Sequence, residues 1–139
     1  MQPDGIIIAE DDDNLRKMYA IALEAAGHKV RTAQNGQQAL RLLEEAPAQL
    51  LVLDVMMPVM DGVEACTIAR TAHRFTAPIL FLSALDNQAT VERCKAAGGD
   101  DFIPKSGNIR QFVDHISQWV CNANHTRNKA EDRGGKQRQ

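Results

Sequence analysis

The chain has 139 residues and a net charge of −2, with 44% hydrophobic and 24% charged residues. A chain of this length can bury one sizeable core, and its composition is typical of a folded globular domain. No apolar run approaches the roughly 20 residues that span a bilayer, and no basic segment precedes residues 6–8, so we expect a cytoplasmic protein without a membrane anchor. Lys and Arg are concentrated in residues 122–139, which leaves an acidic remainder that is poorly suited to direct nucleic-acid binding.

The first predicted unit is a strand followed by a helix. Residues 6–9 are apolar at every position, which is typical of a strand buried on both faces of a parallel sheet. A helix is predicted from a cap at Asp13 or Asn14 to Ala26, with Gly27 as its natural stop.

The next two units repeat this arrangement. Residues 28–33 alternate between apolar and polar side chains, as an edge strand does, and a helix capped by Asn35 runs from there to Pro47. Residues 50–53 form another wholly apolar strand, and the helix after it opens at Asp61.

Two further units complete the pattern. Residues 79–82 predict a fourth buried strand, followed by a helix capped by Asp86 or Asn87. Residues 101–104 predict a short fifth strand that ends on a proline. The last helix shows apolar residues at helical spacing, namely Ile109, Phe112, Val113, Ile116, Trp119 and Val120.

Five strands that alternate with five helices predict an α/β fold, a doubly wound five-stranded parallel sheet with helices on both faces. Because the core-forming pattern stops after Cys121, we predict one folded domain over residues 4–121 and a flexible polar tail or linker start over residues 122–139. Cys66, Cys94 and Cys121 are far apart and lack metal-ligand spacing, so we interpret them as reduced packing residues.

Polar side chains follow the predicted strands at their carboxyl ends, where doubly wound sheets bind ligands. Glu10 and Asp11 follow the first strand, Asp54 the third, Ser83 the fourth and Lys105 the fifth. Clustered carboxylates repel one another, and a hard divalent cation such as Mg²⁺ relieves that repulsion. The sequence therefore predicts a magnesium site at this edge of the sheet.

The same residues suit phosphoryl transfer. The Asp54 carboxylate is a candidate nucleophile toward phosphorus. Lys105 would neutralise charge on the transferred group, and the Ser83 hydroxyl would donate a hydrogen bond to it. Asp12 and Asp13 fit a helix cap and a solvated first turn better than a ligand role.

Four blocks of the sequence are similar to the ordered signature of bacterial response-regulator receiver domains, the CheY-like family of two-component systems. They are residues 6–12 (IIIAEDD), 51–62 (LVLDVMMPVMDG), 82–84 (LSA) and 99–105 (GDDFIPK). The resemblance covers roughly residues 4–121, nearly all of the predicted folded part. It implies a flavodoxin-like sheet of strand order 2-1-3-4-5.

The resemblance also implies a role for each matching residue. Asp54 corresponds to the phosphoacceptor. Glu10, Asp11, Asp54 and the Met56 carbonyl correspond to the Mg²⁺ ligands. Lys105 corresponds to the cation that pairs with the phosphoryl group. Ser83 corresponds to the switch hydroxyl and Phe102 to the switch aromatic.

A regulatory phosphoacceptor, rather than an enzyme acting on other substrates, is the function that the resemblance implies. Phosphoryl groups would come from a phosphohistidine on a sensor histidine kinase or a phosphotransfer protein. Phosphorylation would change the surface of the fourth helix, fifth strand and fifth helix, which would meet a downstream target, a fused output domain or a second copy of the chain.

Two features depart from the family pattern or modulate it. Lys105 is followed by Ser106 rather than by proline, and a cis bond without proline costs roughly 2.5–4 kcal/mol, so we expect a trans peptide there. Met56 and Leu85 flank the expected path of attacking water, and neither side chain can orient a water molecule. We therefore expect slow loss of the phosphoryl group.

Three alternatives remain open. A phosphatase of the haloacid dehalogenase type needs a second Asp two residues after the nucleophile, where this chain has Met56. A flavodoxin-like nucleotide binder needs a Gly/Ser/Thr-rich loop after the first strand, where this chain has four acids. A receiver-like interaction module without phosphorylation is the third alternative, and the presence of all the matching chemical residues argues against it.

Overall fold

The computed structural model describes residues 5–84, 87–105 and 108–136, and of residues 123–136 the backbone alone. The strands are β1 (Ile6–Ala9), β2 (Val30–Ala33), β3 (Leu50–Asp54), β4 (Ile79–Ser83) and β5 (Asp101–Pro104). The helices are α1 (Asp13–Ala25), α2 (Gly36–Glu45), α3 (Gly62–Thr71), α4 (Gln88–Ala96) and α5 (Ile109–Lys136). None of the helices in these ranges is long and apolar enough to cross a membrane.

All five strands are parallel and lie in the order β2-β1-β3-β4-β5, which confirms the predicted sheet. The register sets Ala9 beside Leu53 and Asp54 beside Leu82. It also sets Ser83 beside Pro104, so that the residues ending β3, β4 and β5 fall at one edge of the sheet.

The core consists of two apolar layers, one on each face of the sheet. One face packs under α2, α3 and α4 through Ile7, Leu51 and Phe81, and the other packs under α1 and α5 through Ile8 and Leu82. All five of these side chains are fully buried. Because fully burying one such side chain contributes roughly 1.5–3 kcal/mol, the wholly apolar strands account for much of the stability of the domain.

The helix starts follow the predicted caps with one correction. The cap of α1 is Asp12, whose carboxylate accepts a hydrogen bond of 3.0 Å from Leu15 N, and not Asp13 or Asn14. Asp13 already has helical geometry in the first turn, where its negative charge suits the positive end of the helix dipole. The other caps agree with the sequence and are Asn35, Asp61 and Asn87.

The last helix is longer than the sequence predicted. Its backbone remains helical to Lys136, whereas we expected a flexible segment from residue 122 onward. Among the residues whose side chains are described, Val120 is the last buried one, and Cys121 and Asn122 are exposed, so the apolar periodicity stops before the helix does. The division at residue 121 into domain and tail stays a prediction.

Two of the three cysteines are packing residues, as predicted. Cys66 on α3 and Cys94 on α4 are buried in the same layer, and burial raises the pKa of each thiol to about 11. Cys121 is exposed.

Candidate functional site

A cleft of about 500 Å³ opens at the carboxyl edge of the sheet. It lies where the ends of β1, β3, β4 and β5 meet the start of α4. Its lining contains six of the seven predicted site residues, namely Glu10, Asp11, Asp54, Met56, Ser83 and Lys105.

Asp54 is the last residue of β3, and its exposed fraction is 3%. Its Oδ2 accepts a hydrogen bond of 2.7 Å from Lys105 Nζ, and its Oδ1 accepts one of 3.3 Å from Met56 N. The first residue of α3, Gly62, lies against the same turn, where a Cβ atom would come within 2.2 Å of the Asp54 carbonyl oxygen. Glycine at that position therefore lets α3 begin directly behind Asp54.

Glu10 follows β1 and is fully buried. Its Oε2 accepts a hydrogen bond of 3.1 Å from Asp12 N. Its Oε1 lies 2.8 Å from Lys105 Nζ as an ion pair, but no described residue donates a well-directed hydrogen bond to it. A buried carboxylate oxygen with unused acceptor capacity is costly unless another electropositive group satisfies it.

The charges of this cluster shift the pKa of two groups. Burial raises the pKa of Asp54 to about 7, and neighbouring Glu10 adds to the increase, although the Lys105 hydrogen bond opposes it. Burial alone would lower the pKa of Lys105, but its pairing with Asp54 and Glu10 outweighs burial and raises it. Lys105 is therefore a stable cation between two carboxylates, and one negative charge remains uncompensated by this pairing.

The donor set fits a hard divalent cation. Glu10, Asp11 and Asp54 each offer one carboxylate oxygen, and the three oxygens lie within 4.8 Å of one another. Two of these residues are buried, and Asp11 is exposed to the cleft. Oxygen ligands supplied partly by protein and partly by solvent or phosphate are the set that Mg²⁺ prefers.

The predicted switch residues lie in different surroundings. Ser83 ends β4, is 5% exposed, and lines the cleft, and its carbonyl accepts a hydrogen bond of 2.9 Å from Lys105 N. Phe102 on β5 is partly buried, pairs with Phe81 in the sheet, and lies outside the cleft lining. The structure thus brings Ser83 to the site and places Phe102 against the core layer below α4.

Four residues in the cleft or in contact with its lining escaped the sequence prediction or were assigned other roles. Arg16 donates a hydrogen bond of 2.9 Å from Nη1 to the Glu10 carbonyl and lies 2.5 Å from Asp13 Oδ1. The spacing of Asp13 and Arg16, three residues apart on a helix, was the available signal for their contact. The cleft lining itself includes the other three, Asp61, Thr90 and Arg93. Thr90 and Arg93 lie on α4, and a residue on a helix cannot be assigned to the site from its position after a strand.

Two predictions fall on residues that the structure leaves undescribed. The geometry of the peptide between Lys105 and Ser106 and the position of Leu85 both lie outside the described residues.

Comparison with known proteins agrees with this geometry. The family described as "Response regulator receiver domain" matches residues 6–117. Among curated proteins, the transcriptional regulatory protein AfsQ1 of Streptomyces coelicolor is 37% identical over 101 residues, which are 73% of this chain and 44% of that protein. The transcriptional regulatory protein CpxR of Escherichia coli is 34% identical over 111 residues, which are 80% of this chain and 47% of CpxR.

A solved structure supports the same assignment. The chemotaxis protein CheY4 of Vibrio cholerae superposes with a TM-score of 0.79 at 26% identity, covering 84% of this chain and 98% of CheY4. Since the family match spans most of the chain and the acidic cleft is present, the chain belongs to the family of response-regulator receiver domains of two-component systems. It spans less than half the length of the curated relatives that it matches.

Proposed function

We propose that this domain accepts a phosphoryl group on Asp54 in a reaction that depends on Mg²⁺. The observation that carries the proposal is the close approach of three carboxylates, since one oxygen each of Glu10, Asp11 and Asp54 lies within 4.8 Å of the others. The Asp54 carboxylate is also held 2.7 Å from the Lys105 ammonium. An acidic cluster with a cation on one side and an open cleft on the other suits a dianionic group that arrives with a metal ion.

The transfer itself involves one bond formed and one broken. An oxygen of the ionised Asp54 carboxylate bonds to phosphorus while the bond from phosphorus to the donor nitrogen breaks. That nitrogen, in the imidazole of a phosphohistidine, keeps the electron pair and takes up a proton on release. Lys105 fixes the Asp54 carboxylate and stabilises negative charge on the transferred group.

Glu10, Asp11 and Asp54 would hold the metal, together with the Met56 carbonyl that the family resemblance adds. Bound Mg²⁺ would supply positive charge against the phosphoryl oxygens as they approach the carboxylates. The role of this chain's residues is to place the nucleophile, its lysine partner and the acidic ligands at one edge of a rigid sheet.

The same proposal includes a switch and its partners. Ser83 would turn its hydroxyl toward the new phosphoryl oxygens, and Phe102 would change position with it. The surface of α4, β5 and α5 would then bind a target, an output domain or a second copy of the chain. A sensor histidine kinase or a phosphotransfer protein would supply the phosphoryl group. Met56, which is exposed at the cleft, fits the expected slow loss of the phosphoryl group because its side chain cannot orient a water molecule by hydrogen bonding.

Intact-mass analysis after incubation with acetyl phosphate and Mg²⁺ tests the proposal. We expect one added phosphoryl group on the wild type, none on Asp54→Asn, and none on the wild type in excess chelator. The exposed Asp114→Asn variant is the matched control, since it removes a carboxylate from α5, away from the cleft, and should be phosphorylated like the wild type.

The family's own donor provides the second arm. A purified phosphohistidine phosphotransfer protein should modify the wild type and Asp114→Asn and leave Asp54→Asn unmodified. Equal modification of wild type and Asp54→Asn, or no modification of the wild type by either donor, would contradict the proposal.

A further inference from the structure

Arg16 on α1 is a buried cation that the phosphoacceptor chemistry leaves without a role. Its side chain is 11% exposed, and its guanidinium contacts the start of the loop between β1 and α1 and the first residue of α1. Nη1 donates to the backbone carbonyl of Glu10, and Nη2 donates to the carboxylate of Asp13. The first contact ties the start of the loop to α1, and the second holds the guanidinium against the first turn of that helix.

The loop that Arg16 holds is the one that carries two of the three metal-site carboxylates. Glu10 is fixed at its side chain by Asp12 N and at its carbonyl by Arg16. Asp11 lies between Glu10 and the helix cap Asp12 and is exposed, so the loop backbone determines where its carboxylate points. Metal sites depend on such outer contacts because ligands that are held in place lose less freedom when the metal binds.

The positive charge of Arg16 and its contacts with the loop have opposite effects on Mg²⁺ affinity. A guanidinium beside a cation site repels the incoming metal, so removing a purely electrostatic Arg16 would tighten Mg²⁺ binding. An Arg16 that works by holding the loop has the reverse effect, since its loss would weaken binding. The sign of the change in affinity therefore distinguishes the two roles.

We propose that Arg16 is a positioning residue for the metal site, which sets the orientation of Glu10 and Asp11 by clamping the β1–α1 loop. The inference rests on the proposed function, since it concerns the same metal site. Arg16 touches neither the metal ligands' carboxylates nor the acceptor oxygen in its described hydrogen bonds, so its effect on binding passes through the loop.

The test is the Mg²⁺ dissociation constant of the full chain, measured by isothermal titration calorimetry at a temperature where every variant is folded. Outer contacts of this kind typically change metal affinity 10–100-fold, and we expect Arg16→Ala to weaken Mg²⁺ binding by about tenfold. Arg16→Lys keeps the charge and can reach one acceptor at a time, so we expect an intermediate affinity. Lys17→Ala is the matched control, because Lys17 is the neighbouring exposed cation on the same helix and its loss changes the net charge equally.

Melting temperatures in chelator separate positioning from general stability. A residue with a merely structural role would lower the melting temperature and leave the affinity of the folded protein unchanged. Unchanged or tighter Mg²⁺ binding by Arg16→Ala would overturn the inference, and so would a loss as large in Lys17→Ala. Failure of the wild type to bind Mg²⁺ would instead overturn the proposed function on which the inference rests.

Discussion

At the scale of single residues, the site is defined by a carboxylate placed where its charge is costly. Asp54 is nearly fully buried, and the ammonium that it contacts is shared with Glu10. A protein rarely keeps two buried acids on one lysine for stability alone, because desolvation of each charge opposes folding. The arrangement is understandable where a ligand with positive charge completes it.

Replacement of Asp54 by Asn should stabilise the metal-free domain at alkaline pH. The folded-state pKa of about 7 lies above the ordinary value for an aspartate, about 3.9, so between these values the folded state holds a proton that the unfolded state has released. Stability is then lost as pH rises from about 4 through about 7, and Asn does not titrate. We expect Asp54→Asn to be more stable than wild type at pH 8 by roughly 1–3 kcal/mol, with a smaller difference at pH 5.

Thermal melts in chelator at both pH values measure this difference. Glu92→Gln, an exposed acid on α4, should show no comparable pH-dependent gain. A lower melting temperature for Asp54→Asn at pH 8, or an equal difference at both pH values, would show that burial of this charge does not destabilise the domain.

A second titrating group, Asp101, is stabilised by the fold. Its Oδ2 lies 2.6 Å from His115 Nε2 and accepts a hydrogen bond of 2.8 Å from Trp119 Nε1. Burial alone would raise the pKa of Asp101, but these hydrogen bonds, together with the one from Phe102 N, outweigh burial and lower it. A lowered pKa contributes stability that is present above the unfolded value near 4 and is lost as pH falls below it.

The variant Trp119→Phe should therefore matter most at neutral pH. It keeps an aromatic ring and removes the indole donor, so we expect a loss of about 1 kcal/mol at pH 7 that shrinks as Asp101 is protonated toward pH 3. Melting temperatures of the two proteins between pH 7 and pH 3 measure the change. A constant difference over that range would mean that lost packing, and not the hydrogen bond, causes the effect.

The sequence predicted the site residues that end strands and missed those that reach the site from helices. Asp54, Ser83 and Lys105 could be placed because parallel strands deliver their carboxyl ends to one edge. Arg16 and the contact of His115 with Asp101 depend on the tertiary packing of a helix against a loop or strand. The contact of His28, which is partly buried, with Ser117 on α5 depends on such packing as well.

At the scale of elements, the turn from β3 into α3 is the most constrained segment near the site. Val59 has a φ of 68°, which is strained for a β-branched residue, and Met60 N donates a hydrogen bond of 2.7 Å to the Pro58 carbonyl across it. Gly62 N then donates a hydrogen bond of 3.1 Å to the Val55 carbonyl. The turn thus packs α3 tightly against the residue that bears the acceptor carboxylate.

A methyl group at Gly62 should disturb Asp54. Because the added Cβ would lie 2.2 Å from the Asp54 carbonyl oxygen, backbone must move. Overpacking of this kind costs about 1–3 kcal/mol, and we expect Gly62→Ala also to slow phosphorylation by acetyl phosphate at least severalfold. Denaturant unfolding and intact-mass time courses measure the two effects.

Gly27→Ala separates backbone strain from displacement of the acceptor. Gly27 has a φ of 97° and its added Cβ would touch nothing within 4 Å. The Gly27→Ala variant should lose about 1 kcal/mol of stability and be phosphorylated at the wild-type rate. An equal slowing in both glycine variants would show that the position of Gly62 behind Asp54 is unimportant.

Element types were predictable because the wholly apolar runs and the helical spacing have different periods. The residues at which the helices begin and end were harder to predict. The cap moved from Asp13 to Asp12 because three consecutive acids after Glu10 can each cap a helix, and the loop geometry selects one of them. The length of α5 escaped prediction because apolar periodicity reports contact with the core, whereas the helix continues to Lys136, past the last clearly apolar position, Val120.

At the scale of the whole molecule, the predicted boundary at residue 121 can be tested directly. Up to residue 122, where the description of side chains ends, Val120 is the last buried residue and the two residues after it are exposed. A chain ending at residue 122 should therefore melt within a few degrees of the full chain and be phosphorylated on Asp54 to the same extent. Circular dichroism melts and intact mass measure both properties. A loss of more than about 2 kcal/mol would place residues 123–136 within the folding unit.

The strand order also sets the sequence in which the site can form during synthesis. β3 pairs with β1 on one side and β4 on the other, so the sheet β2-β1-β3 can assemble once Asp54 has left the ribosome. At that stage Glu10, Asp11 and Asp54 are already at one edge, while Ser83 and Lys105 have not yet emerged. The acids of the growing chain consequently meet before their lysine has emerged, and the arrival of β5 both completes the sheet and brings the cation that pairs with two of them.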